Sequence, residues 1–196
     1  MDIIFVRHGK TILNENKAYV GIIDTDISEN GKKEINTLGK LLQGVKFNKV
    51  FSSPLKRAIQ TTKIITNDNY IIDNRLMEMN FGIFEGLSYS EICEKYPVES
   101  KKWVSDYFNY KIPSGESLKE VFNRTEDFLK DISKLKGRVL VVTHGGIIGC
   151  ALSLVFNKKD YFFKFKVLHG RMNIVSIEDK YMYIKGINCL DKEVIK

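Results

Sequence analysis

Cysteine is scarce in this chain, and its scarcity is informative. The three thiols, Cys93, Cys150 and Cys189, are odd in number and far apart. They therefore build neither a disulfide framework nor a CxxC-type metal site, and they read as core thiols of a cytoplasmic protein. Proline is equally rare, at three residues, which excludes a collagenous or Pro-rich low-complexity chain. Long hydrophobic runs are missing too. The opening run ends in charge at Arg7, too soon for the apolar region of a secretion signal, and no later window approaches the roughly 18 apolar residues of a membrane span. These absences predict a cytoplasmic protein without a membrane partner. What is present suits a packed core: 43% hydrophobic and 11% aromatic residues in 196. A chain of that length buries about 70% of the surface it exposes when unfolded. Neither a linker nor a repeat interrupts it, so residues 1–196 are expected to form a single domain.

The formal net charge of +7 favours anionic partners in general. It does not by itself point to nucleic acid. No recognition motif for nucleic acid is present, and the lysines are scattered over helices as on a solvated surface, so no nucleic-acid partner is expected.

Strand-like and helix-like segments alternate, the pattern of an α/β domain with a mostly parallel sheet. Asp2 to Val6 is nearly all apolar, as in a strand covered on both faces. Ser28 precedes a helical stripe of Ile35, Leu38, Leu41 and Leu42 that ends at Gly44. Lys49 to Ser52 reads as a strand, and Ser53-Pro54 as the start of a helix with Leu55, Ala58, Ile59, Thr62 and Ile65 inside. Tyr70 to Ile72 is a further short strand, and Arg75 to Leu87, with Gly82 and Gly86, is a loop. Ser88 with Glu91 and Ser117 with Glu120 match the capping box, so two helices begin there. Arg138 to Val142 is a strand followed by an apolar helix through Phe156, and strands at 174–177 and 181–184 close the chain.

Two of the three histidines stand at the carboxyl end of an apolar strand and precede glycine: Arg7-His8-Gly9 and His144-Gly145-Gly146. In an open α/β sheet the ligand crevice lies outside those strand ends, so the two sites can converge. Glycine there lets backbone amides approach an anion, and nearby helix starts add positive dipole ends. Most basic residues are lysines, which singles out Arg7 and Arg57, because guanidinium is planar and bidentate toward phosphate. Arg57 can reach back over the strand ends or stand exposed on its helix.

RHGKT at 7–11 with Asn14, SSPLKRAIQTT at 52–62, EMNFGIFEG at 78–86, PSGES at 113–117 and VVTHGG at 141–146 together resemble the histidine phosphatase, or phosphoglycerate mutase-like, superfamily. The motifs stand in the family's order; the tail from Phe156 onward resembles it only weakly. The resemblance implies a three-layer α/β/α fold and phosphoryl transfer through a phosphohistidine. His8 would be the nucleophile. Arg7, Arg57 and His144 would surround the phosphoryl oxygens, with Thr11, Asn14 and Gly145 binding the phosphate. Glu78 would be the acid that protonates the leaving oxygen, and Glu85 would orient the loop. The guanidinium groups beside His8 would keep it unprotonated. No metal and no cofactor is implied.

Residues 87–116 would form a short cap over the site. The family's glycolytic mutases carry an insertion there, so the shorter segment resembles its phosphatases, including the α-ribazole phosphate and broad-specificity branches. Trp103, Tyr107, Phe108 and Tyr110 could line a pocket for an aromatic leaving group or pack into the core. Lys10 stands where the family usually has an acidic or amide residue, and Asp26-Ile27-Ser28 lacks a proline often found before the helix. His169 matches no catalytic position and is expected to be non-catalytic. Competing readings are a bisphosphoglycerate-dependent mutase and a phospho-ligand binder without activity. A dinucleotide turn at 144–149 is excluded because His144 stands where glycine is required.

Overall fold

A run as uniformly apolar as Ile3 to Val6 must be covered on both sides, and in the computed structural model, which describes residues 1–179 and 181–195, it is. Strand β1 (Asp2–Arg7) sends Ile3 and Phe5 into one core cluster and Ile4 and Val6 into another, on opposite faces of one sheet. Helices α2 (Glu29–Leu42) and α3 (Lys56–Ile65) cover the face of Ile4 and Val6, through Ile35, Leu38, Ala58 and Ile65. Helices α4 (Tyr89–Lys95), α6 (Leu118–Ile132) and α7 (Gly145–Val155) cover the other, through Ile92, Val121, Phe128 and Ile148. The fold is three-layered α/β/α. Short α1 (Ile12–Glu15) follows β1, and α5 (Pro97–Ser105) follows α4.

The sheet has six strands in the order β3-β2-β4-β1-β5-β6, with β2 at Lys49–Ser52, β3 at Ile71–Ile72, β4 at Arg138–Thr143, β5 at Met172–Glu178 and β6 at Tyr181–Cys189. Pairings β1·β4, β2·β4 and β2·β3 are parallel; β5 runs antiparallel to both neighbours. The register sets Arg7 beside Thr143 and Ser52 beside Val142. His8 N–H then donates to the Thr143 carbonyl and Ser53 N–H to that of Val142. The carboxyl ends of β1, β4 and β2 are thereby brought side by side.

Capping serines Ser28, Ser88 and Ser117 each accept from a backbone N–H as the sequence predicts, the last two in full capping boxes. The Ser53-Pro54 start is corrected: α3 begins at Lys56 with Leu55 at its N-cap and no side-chain cap. Ser53 remains extended beside β4, and its hydroxyl is within hydrogen-bond reach of His144. The third strand is shorter than predicted, and β5 and β6 are longer, because Gly186, Asn188 with φ of 55° and a register shift break the alternation a sequence reader relies on. The irregular stretch before α4 contains 3-10 turns at Asn74–Leu76 and Gly82–Phe84. Cys150 is buried, and Cys93 and Cys189 are half-buried. Among the described residues no helix is long and apolar enough to cross a membrane.

Candidate active site

The strand register puts two imidazoles together. The His8 and His144 ring centroids are 4.9 Å apart, and both side chains are buried. His8 Nδ1 lies 2.8 Å from the Gly9 carbonyl. A carbonyl only accepts, so Nδ1 carries the proton and Nε2 is left with the lone pair. His144 Nε2 lies 2.7 Å from Ser53 Oγ. With Ser53 donating, His144 holds its proton on Nδ1, a buried atom with no partner in the protein.

Arg7 donates from Nη1 to the Val167 carbonyl at 2.7 Å. Arg57, 0% exposed, is not a surface helix arginine. Its guanidinium donates to the carbonyls of Val20, Gly21 and Ile23 and so pins the loop before α2. Nε of each arginine is buried without a partner. An unsatisfied buried donor costs about 1–3 kcal/mol. Three of them in one cluster, beside the N-terminus of α7, make a setting that an anion with several acceptor oxygens would satisfy.

Glycine is needed here for close approach. A Cβ on Gly146 would strike the Glu78 carboxylate, and one on Gly145 would lie 3.1 Å from the Arg7 guanidinium carbon. The Gly9 amide is used differently from the sequence reading. Gly9 N–H donates to Thr61 Oγ1 at 3.0 Å and Gly146 N–H to Glu78 Oε2 at 3.1 Å, so protein oxygens occupy both. Gly9 instead serves packing, since a Cβ there would lie 2.8 Å from Ile35. Thr11 and Asn14 form a reciprocal cap on α1: Asn14 N–H donates to Thr11 Oγ1 and Thr11 N–H to Asn14 Oδ1, each at 3.2 Å. The Asn14 amide nitrogen and the Thr11 hydroxyl proton take no part in that cap. Lys10 pairs with Glu34 at 3.3 Å.

Glu78 is buried, with Oε1 accepting from Met79 N–H at 3.0 Å. Glu85 accepts from the N–H groups of Gly21, Ile22, Ile23 and Phe81, which makes it the organiser of its loop. Arg124 was not singled out by sequence, yet it holds the Glu78 segment in place. It donates to the carbonyls of Arg75, Met77 and Glu78 while pairing bidentately with Glu116. Glu116 in turn accepts from Asn80 N–H at 2.9 Å. The only sequence signal for this network was Glu116 inside PSGES.

His169 is brought to the site although no motif pointed to it. Its Nδ1 donates to the His8 carbonyl at 2.9 Å, and its ring centroid is 5.1 Å from that of His8. The aromatics divide. Trp103 and Tyr107 line a cavity that also contains Glu78. Phe108 packs on Phe122, and Tyr110 rests against the core. Among the described residues no group of three or more His, Cys, Asp or Glu is placed to hold a metal ion.

All three histidines are held in the neutral form. Burial is the main cause, ahead of the arginine charges that the sequence suggested. It keeps His8 and His144 well below the usual imidazole range and pushes His169 down to about 3. The unfolded chain, with histidines near 6.5, therefore binds more protons than the folded one once the pH falls below that value. Stability is predicted to fall on acidification from about pH 7 to about pH 5, by up to about 1.4 kcal/mol per pH unit for each histidine. Urea midpoints across that range test this, and His169→Asn should reduce the slope by one proton. A midpoint that does not move would show that the imidazoles titrate normally.

Comparison with known proteins agrees with the geometry. The chain is 31% identical over 194 residues to phosphoserine phosphatase 1 of Hydrogenobacter thermophilus, covering 95% of this chain and 91% of that one. It is 26% identical to the adenosylcobalamin/alpha-ribazole phosphatase of Escherichia coli, over 96% of each. The fold recurs in the crystal structure of the alpha-ribazole phosphatase from Shigella flexneri, with a TM-score of 0.89, 24% identity, and 97% of this chain and 98% of that one covered. The sequence model of the histidine phosphatase superfamily (branch 1) matches residues 3–190, and the chain belongs to that superfamily.

Proposed function

We propose that the chain is a metal-independent phosphomonoesterase that works through a phosphohistidine on His8. The observation that carries this reading is the His8 ring itself, neutral and tied through Nδ1 to Gly9, with its Nε2 lone pair free beside Arg7, Arg57 and His144. Nε2 attacks phosphorus while the bond to the ester oxygen breaks, and Glu78 gives that oxygen a proton. Arg7, Arg57 and His144 stabilise the charge on the phosphoryl oxygens, assisted by Thr11, Asn14 and the α7 terminus at Gly145. Water then attacks the phosphohistidine, Glu78 takes its proton, and inorganic phosphate leaves. Residues 87–116 act as the cap.

Small phosphorylated metabolites are the substrate class, and the alpha-ribazole and phosphoserine phosphatases among the relatives support a phosphatase over a mutase. Inorganic phosphate should be released from a panel of phosphomonoesters without added bisphosphoglycerate and in the presence of a chelator. Conversion of 3-phosphoglycerate to 2-phosphoglycerate that depends on bisphosphoglycerate, with negligible phosphate release, would establish the mutase instead.

A further inference from the structure

Next to the phosphoryl cluster is a cavity of about 480 Å³ whose wall includes Glu78 and Gly146, and it opens between the cap and the turn at Lys159–Lys164. Tyr19, Trp103, Tyr107, Val121 and Phe163 are among the side chains around it, and Glu78 is the one charged residue of its described lining. The walls are braced. The Trp103 ring lies 5.3 Å from those of Tyr19 and Phe84. Tyr107 stands 5.0 Å from the Phe163 ring and donates its hydroxyl to Asp160 at 3.3 Å, which clasps the cap to the turn. At the rim, Val104 is 59% and Phe163 67% exposed, apolar surface facing an apolar space.

Resting on the phosphomonoesterase reading, we propose that this cavity is the leaving-group subsite and selects phosphate esters of bulky apolar alcohols, arylalkyl ones above all. The position of Glu78 makes the connection. The ester oxygen has to meet Glu78 to take its proton, so the group attached to that oxygen extends along the wall that Glu78 belongs to. A carboxylate or second phosphate in the same place would lose water, find no cation and face Glu78. An aromatic ring there gains the burial of its whole surface and edge contacts with Trp103 and Tyr107. Two lysines, Lys164 and Lys166, line a separate cleft of about 460 Å³ that shares Glu78 and Gly146. That cleft is where an anionic leaving group would have to lie.

The test compares esters of alkyl alcohols, so that proton demand at the leaving oxygen is similar: benzyl and 2-naphthylmethyl phosphate against glycerol 3-phosphate and phosphoserine. The arylalkyl esters should have kcat/KM at least about tenfold higher. Val104→Glu and Phe163→Ala, both at the exposed rim, should each lower the arylalkyl-to-glycerol ratio about tenfold. Trp103 is the sole tryptophan, so a naphthylmethyl phosphonate should alter its fluorescence and a glycerol phosphonate should not. Equal kcat/KM for all esters, or a preference for phosphoserine that Lys164→Ala removes, overturns the subsite and leaves the phosphomonoesterase intact. No turnover of any ester, 4-nitrophenyl phosphate included, overturns both.

Discussion

Replacing His8 by alanine is expected to abolish the phosphorylated intermediate and to reduce turnover by at least about 10⁴-fold, as loss of a covalent nucleophile does elsewhere. The expectation follows from which ring nitrogens are free. His144 Nε2 is engaged by Ser53, and its Nδ1 is buried. His8 and His169 both donate from Nδ1 to a backbone carbonyl, so each keeps a lone pair on Nε2, and burial keeps each neutral. His169 is thus the rival nucleophile, and the setting of its ring decides against it. It is only half-buried, on the loop before β5, and its ring meets that of His8, whereas the buried His8 ring also meets that of His144 at the end of β4. Rapid quenching with labelled ester should trap an acid-labile, alkali-stable phosphoprotein in the parent and in His169→Ala, and none in His8→Ala. Label on the His8 variant, or its loss from the His169 variant alone, would transfer the role to His169. The His8 variant's thermal transition serves as the folding control.

How much of this was legible in the sequence depended on the range of the interaction. Ser88 and Ser117 were legible because a capping box is complete within four residues. The convergence of His8 and His144 was legible because apolar strands covered on both faces imply a parallel sheet, and a parallel sheet aligns carboxyl ends. The state of Arg57 was not. Its exposure depended on carbonyls at positions 20–23, which approach it only once the loop before α2 folds back. Arg124 was illegible for the same reason: it acts on the carbonyls of residues 75, 77 and 78, and carbonyls carry no sequence signature. Gly9 shows a different failure. Glycine after a histidine signals close approach, but not whether a ligand or a helix makes it; here Ile35 and Gly31 of α2 do. His169 sits in the tail, where neither motif nor periodicity gave guidance, and the bond to the His8 carbonyl and the contact of the two rings reveal it.

The assignment of the acid carries the second large effect. Glu78→Gln is expected to slow esters of poor leaving groups, such as glycerol 3-phosphate, by about 10²–10⁴-fold, and 4-nitrophenyl phosphate far less, because nitrophenolate departs without a proton. The two carboxylates of the loop differ in what their oxygens are doing. Glu85 accepts four backbone N–H groups from two segments, and a proton on either oxygen would displace one of those donors and release the loop that Arg57 also pins. Glu78 accepts a single N–H on each oxygen, from Met79 and from Gly146, which leaves each oxygen a further lone pair to carry a proton. It also borders both clefts that a leaving group could enter. Glutamine preserves its shape and one accepting oxygen but carries no transferable proton, so the loss should grow with the basicity of the departing alkoxide. Glu85→Gln instead disturbs the loop, and its cost should be the same for every ester. Rates for a series of esters plotted against leaving-group acidity separate the two. A steepened slope for Glu85→Gln with an unchanged slope for Glu78→Gln would reverse the roles, and would mean that the loop opens in the complex far enough to free Glu85 from at least one of its donors.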